Sequence, residues 1–321
     1  MGLEEDIVGF TEMIQLNPDN EDIYFYRGLA YWNFRQYENA LHDFDKAIEI
    51  EPNFTEAYNS RGGVYLALKQ YERAIKDYDK AIKLYPDYFE AYYNRGYSYL
   101  GLNQYEQAIH NFNEAVELNS DDADCYYNRG NAYLGLNQYE SAIHNFDKAI
   151  ELNSDDADYY FIRGSVYKDL NKYESAIQDF DKIIELKPYH AVAYYNRGNS
   201  YSDLEQYERA IQDYDRAVAI NPNYLEAYFN RGLAYLKLNK NKQALYDFDK
   251  YIKLVPNDGD GRQMRGKCYQ ALGDEAKAQA DFAKAKELGY NGWQLTILGK
   301  KIPQRSKSSV GDYRSEERRV G

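Results

Sequence analysis

Eight arginines stand 34 residues apart, at Arg27, Arg61, Arg95, Arg129, Arg163, Arg197, Arg231 and Arg265, and each is followed by a glycine. Sixteen residues after six of them comes an aspartate: Asp43, Asp77, Asp179, Asp213, Asp247 and Asp281. After Arg95 and Arg129 the same place holds Asn111 and Asn145. A guanidinium offers five donors in a fixed fork, so this spacing suits charge-assisted bonding between distant segments. A second series is neutral. Asn94, Asn128, Asn196 and Asn230 each precede one of these arginines, and Asn131 and Asn199 follow three residues on. A carboxamide has both a donor and an acceptor, the pair needed to bond another chain's backbone.

Other candidate chemistry fails on inspection. GRQMRGKC (261–268) comes near the Gly-x4-Gly-Lys-Ser/Thr phosphate loop but ends in cysteine and follows no strand-like segment. His42, His110 and His144 recur at repeat spacing, and His190 falls in a turn, so no metal-ligand set forms. SDDAD at 120–124 and 154–158 lacks the glycine and distal glutamate of a calcium loop, and helix capping accounts for it. No nucleophile–base arrangement is found, so no catalytic residue, metal or cofactor is expected.

The elements that carry these residues follow from the same period. With the glycine at position 8, the chain divides into units 21–54, 55–88, 89–122, 123–156, 157–190, 191–224, 225–258 and 259–292. Position 4 is tyrosine in seven units, position 11 is tyrosine in all eight, position 20 is always alanine, and position 24 is phenylalanine or tyrosine. Positions 4, 7, 8 and 11 share one stripe of a 3.6-residue helix, and 17, 20, 24 and 27 share a second. Proline at position 32, or Asn-Ser-Asp-Asp in the third and fourth units, ends the second helix. Each unit is thus a helix pair too small to bury its own stripe. Stacking of neighbours must bury it, which predicts an all-α solenoid.

This pattern resembles the tetratricopeptide repeat over residues 21–292. The resemblance implies a right-handed superhelix with a concave groove lined by first helices. Residues 3–20, with Phe10 and Pro18 in register, resemble the second helix of a further, partial unit. Departures are arginine at position 7, Arg262 at position 4, and Ile183 and Tyr251 at position 27. The last unit's Lys- and Ala-rich second helix suits a solvent-facing cap. The basic stretch 293–321 reads as disordered, and its end, RSEERRVG, resembles a translated sequencing adapter.

Position 7 shares its stripe with the tyrosines, where an unpaired charge is costly. The arginines are therefore read as cross-ties to the aspartates at positions 23 and 25 and to tyrosine hydroxyls. The alternative is a column lining the groove for acidic peptides. The resemblance assigns the groove to the other face. There position 5 is aromatic at Tyr93, Tyr127, Phe161, Tyr195 and Phe229, beside the asparagines at positions 6 and 9. Position 2 is acidic in seven units.

The function expected is a non-catalytic scaffold binding an extended, neutral or basic peptide segment of a protein partner. The family's clamp for acidic chaperone C-termini needs lysine at positions 5 and 2 and arginine at 6, and none is present. The alternative is the recognition arm of a larger enzyme, such as a tetratricopeptide glycosyltransferase. A net charge of -13 disfavours nucleic acid. No eighteen-residue apolar run or signal-like leader appears, and two cysteines, Cys125 and Cys268, suit a reducing compartment, so a cytoplasmic location without membrane contact is expected.

Overall fold

The structure, a computed structural model, describes residues 2–290, with side chains from residue 6 onward. The basic stretch from 293 and its RSEERRVG end lie outside the described residues. All regular structure among the described residues is α-helical. Helix α1 (Gly2–Leu16) precedes eight antiparallel pairs. The first four are α2 (Glu21–Asn33) with α3 (Tyr37–Ile50), α4 (Thr55–Ala67) with α5 (Tyr71–Leu84), α6 (Phe89–Gly101) with α7 (Tyr105–Leu118), and α8 (Ala123–Gly135) with α9 (Tyr139–Leu152). The second four are α10 (Ala157–Asp169) with α11 (Tyr173–Leu186), α12 (Ala191–Asp203) with α13 (Tyr207–Ile220), α14 (Leu225–Lys237) with α15 (Asn241–Leu254), and α16 (Gly259–Ala271) with α17 (Glu275–Glu287). Helices α1–α9 form one compact unit and α10–α17 another, and within each unit successive pairs stack as a solenoid does.

The break inside each pair is made at position 15, where the backbone turns left-handed. Arg35, Lys69, Asn103, Asn137, Asn171, Glu205 and Asn239 have φ of 56–58°, and Gly273 has φ of 81°. The next amide then reaches back to position 11, as Gln36 N donates to Tyr31 O at 2.9 Å and Gln70 N to Tyr65 O at 2.8 Å. This closes the first helix with a left-handed cap. Between pairs, Asn20, Asp122, Asp156 and Asp258 cap the following helix with side-chain oxygens. His190 does the same through Nδ1, which accepts from Ala193 N at 3.0 Å.

Packing explains the glycine at position 8. A Cβ on Gly28, Gly62, Gly130 or Gly266 would lie 2.5–2.8 Å from the position-24 ring of its own pair (Phe44, Tyr78, Phe146 and Phe282). Phe44, Tyr78 and Phe146 are fully buried and cannot give way. The helix-propensity cost of glycine, about 1 kcal/mol, is offset by this close approach. The alanines at position 20 are likewise fully buried. Where position 27 carries Tyr251 in place of alanine, the next first helix has Gly261. A Cβ there would meet the Tyr251 ring at 2.6 Å, so the enlarged residue is matched by a deleted one. Cys125 and Cys268 are free and buried, and burial pushes both thiols up to about 12.

Candidate functional site

The arginines are placed first, because they hold the first helices. Each position-7 guanidinium bonds position 23 of its own pair. Arg61 Nε and Nη2 donate to Asp77 at 2.8 and 2.6 Å, Arg197 to Asp213 at 2.8 and 2.6 Å, and Arg231 to Asp247 at 2.9 and 2.6 Å. The position-25 aspartate differs from the expectation in one respect, since it comes from the preceding pair. Arg61 Nη1 donates to Asp45 at 2.6 Å, Arg197 to Asp181 at 2.5 Å, and Arg231 to Asp215 at 2.6 Å. One arginine therefore ties three helices. The tyrosines contribute ring faces as well: Arg27 Cζ lies 5.7 Å from the Tyr24 ring centroid and 5.8 Å from that of Tyr31. In α1, Thr11 stands in for the missing aspartate and accepts from Arg27 Nη1 at 3.1 Å. The arginines are cross-ties, and the column lining a groove for acidic peptides is set aside.

Within helices α1–α9, the asparagines on the other face are half spent. Asn128 is 4% exposed, and its Nδ2 donates to Tyr93 Oη and to Asp124 O, both at 2.9 Å. Asn131 is 5% exposed, and its Oδ1 is buried without a protein partner. Asn94 is half-buried. Tyr93 and Tyr127 pack on the position-24 rings of their own pairs, with centroids 6.0 Å from Phe112 and 5.9 Å from Phe146. The position-5 aromatics are thus core residues with one edge on this face. Tyr26 and Tyr97, which sequence reasoning did not single out, are the more exposed rings here, at 52% and 39%.

Helices α10–α17 repeat the arrangement with different partners. Asn230 Nδ2 donates to Tyr195 Oη at 3.1 Å and to Asn199 Oδ1 at 2.9 Å, and Tyr214 Oη donates to that same oxygen at 2.8 Å. Asn196 is 8% exposed, and its Nδ2 donates to Val192 O at 2.9 Å. Its Oδ1 accepts from Lys168 Nζ at 2.9 Å. Phe161, Tyr195 and Phe229 pack on Phe180, Tyr214 and Phe248 at 6.3, 6.1 and 5.6 Å. Lys168 was missed, although its signal was present: position 12 is leucine in four units, and a lysine there is an outlier. Burial lowers its pKa, opposed by the nearby Asp169 and Asp203 carboxylates.

Three properties of this face bear on its chemistry. The pairs Tyr93–Asn128 and Tyr195–Asn230 each fix a carboxamide by its nitrogen. Glu56, Glu90 and Glu226 at position 2 are exposed. Among the described residues, no group of His, Cys, Asp and Glu is arranged to hold a metal ion, and no helix is long and apolar enough to cross a membrane.

Family models match along nearly the whole array. Tetratricopeptide repeat models match residues 21–54, 123–156, 157–190 and 225–258, residues 44–76 and 180–212, and residues 260–288. A TPR repeat model matches 62–103, 98–137 and 198–239. No curated protein matches. Among solved structures, YrrB, described as a TPR protein with an unusual peptide-binding site, is 30% identical, with a TM-score of 0.51 over 57% of this chain and 95% of its own. MamA (41-end) from Desulfovibrio magneticus RS-1 is 28% identical, with a TM-score of 0.51 over 53% of this chain and 96% of its own. The C-terminal part of a TPR repeat-containing protein from Cytophaga hutchinsonii shares the fold at 20% identity, with a TM-score of 0.68 over 75% of this chain and 98% of its own. With family models tiling residues 21–258 and 260–288 and the helix pairs in the same register, this chain belongs to the tetratricopeptide repeat family.

Proposed function

We propose that the chain is a non-catalytic scaffold that binds an extended peptide segment of a partner protein along the exposed face of its first helices. The observation that carries this reading is the recurring tyrosine–asparagine pair. In Tyr93–Asn128 and Tyr195–Asn230 the amide nitrogen is committed to the phenol, and each Oδ1 makes no hydrogen bond among the described residues. Such an oxygen is a pre-positioned acceptor for a peptide N–H, with its ordering cost already met in folding. Resemblance to YrrB, described as having a peptide-binding site, supports the same reading. The exposed acids at position 2 favour a neutral or basic segment over an acidic one.

The test is selection from a random peptide library on the full chain, followed by binding isotherms for the selected peptides. Asn128→Ala and Asn230→Ala are each expected to weaken binding by about tenfold, the cost of one well-placed hydrogen bond. Affinities unchanged in both variants would place the binding surface elsewhere. The selected peptides are expected to be neutral or basic, and the basic ones to bind more weakly as salt rises.

A further inference from the structure

The fifth and sixth repeats show what a first-helix amide can hold. Asn196 Nδ2 donates to Val192 O, four residues earlier, at 2.9 Å, and Asn196 Oδ1 accepts from Lys168 Nζ at 2.9 Å. That is the only hydrogen bond the Lys168 ammonium makes among the described residues, and no carboxylate there forms an ion pair with it. Asp169 and Asp203 act on it from further away. One carboxamide oxygen thus seats an ammonium through a charge-assisted hydrogen bond.

The fourth repeat presents the same oxygen without the ammonium. Asn128 Nδ2 donates to Asp124 O, again four residues earlier and again at 2.9 Å, so the carboxamide is turned the same way. Asn128 is 4% exposed, yet its Oδ1 makes no hydrogen bond among the described residues and is not a buried atom. The residue in the place of Lys168 is Leu100, which has no polar group to offer. The charge of the face differs as well. Positions 2, 5, 6, 9, 12 and 13 of α2, α4, α6 and α8 carry Asp22, Glu56, Glu90 and Asp124 and no lysine or arginine. The same positions of α10, α12, α14 and α16 include Lys168, Lys237 and Lys267. The face of α2, α4, α6 and α8 therefore has acids but no cation of its own, and its potential complements a basic segment. Tyr97, 39% exposed and three residues before Leu100, adds a ring face for an incoming charge.

We propose that Asn128 Oδ1 is the acceptor of a subsite for a lysine side chain of a basic partner segment, whose ammonium takes on α8 the part that Lys168 takes on α12. This rests on the peptide-binding reading and names the side chain that the site selects.

The experiment titrates the full chain with hexalysine and with hexalysine acetylated on every side-chain amine, at fixed low ionic strength. Acetylation removes the charge and is expected to weaken binding by about tenfold, as is Leu100→Lys, which supplies an internal ammonium to Asn128. Gln107→Lys adds the same charge at an exposed site on α7 and is expected to change the affinity by about twofold at most. Should Leu100→Lys fail to fold, Lys168→Leu is the second variant. It uncovers Asn196 Oδ1 and is expected to bind hexalysine more tightly than Lys172→Gln, which removes an exposed lysine instead. The subsite is overturned if acetylated hexalysine binds as well as hexalysine, or if each variant matches its charge control. Either result, with Asn128→Ala still weakening the library-selected peptides, removes the subsite alone. Asn128→Ala without effect on any peptide removes the subsite together with the peptide contact beneath it.

Discussion

The clamp of the fourth repeat and that of the seventh do the same mechanical work with different chemistry. Arg231 is 10% exposed, lies against Asp247 at 1%, and bonds two carboxylates. Arg129 makes the equivalent bonds from Nε and Nη1 to Asn145 and Asn113, at 2.7 and 2.9 Å. The helices are held in the same register in both. Acceptor position, not charge, therefore sets the geometry of the three-helix tie. Charge decides how much is lost when the tie is cut. Burying Asp247 raises its pKa against the opposing pull of Arg231, so the seventh-repeat ion pair is maintained at a desolvation cost that the fourth avoids.

The largest expected contrast comes from removing the position-23 acceptor. Asp247→Ala leaves a buried guanidinium short of its main partner and should cost about 4 kcal/mol. Asn145→Ala removes only a neutral acceptor and should cost about 1 kcal/mol. Denaturant midpoints of the two variants measure the difference, and equal losses would mean that charge contributes nothing to the clamp.

A smaller effect, and the same one in both repeats, is expected from the neighbouring glycine. A Cβ on Gly130 would lie 2.6 Å from Phe146, and one on Gly232 would lie 2.9 Å from Phe248. Gly130→Ala and Gly232→Ala should each cost about 2 kcal/mol by overpacking. A loss confined to one repeat would show that the clamp, and not the ring, dictates the glycine.

The smallest contrast tests an acceptor that is absent outright. Tyr214 Oη donates to Asn199 at 2.8 Å, whereas Tyr78 Oη is buried with no protein partner because Gly63 stands at the position equivalent to Asn199. Tyr214→Phe should cost about 1 kcal/mol, and Tyr78→Phe should leave the thermal midpoint unchanged or raise it slightly. A comparable loss in both would mean that the Tyr78 hydroxyl is satisfied after all.

Much of the clamp could be read before any coordinates. A charge on an aromatic stripe needs a counter-charge, and the aspartates recur at one fixed separation from it. What could not be read is that the second aspartate belongs to the preceding pair, since Asp45 and Asp79 are as regular in sequence as Asp77 and Asp213. The candidate site was less legible. Asn128 and Asn230 look like free amides on an open face, and only coordinates show their nitrogens bonded to Tyr93 and Tyr195, 35 residues earlier. Tyr127 reads as a contact residue and is 7% exposed, because its neighbour Phe146 is also its packing partner.

The sequence by itself determined the helix pairs, their period, the stripe each must bury and the need for every position-7 arginine to find an acceptor. Those features follow from local periodicity and from the cost of an unpaired charge, which act along one chain segment. Only the tertiary structure decided which repeat supplies each acceptor, which amides remain available and which aromatics keep an exposed edge. Those outcomes depend on how neighbouring pairs stack, and contacts such as Arg61–Asp45 and Asn128–Tyr93 recur with the same 34-residue period as their alternatives, so the period by itself does not choose between them.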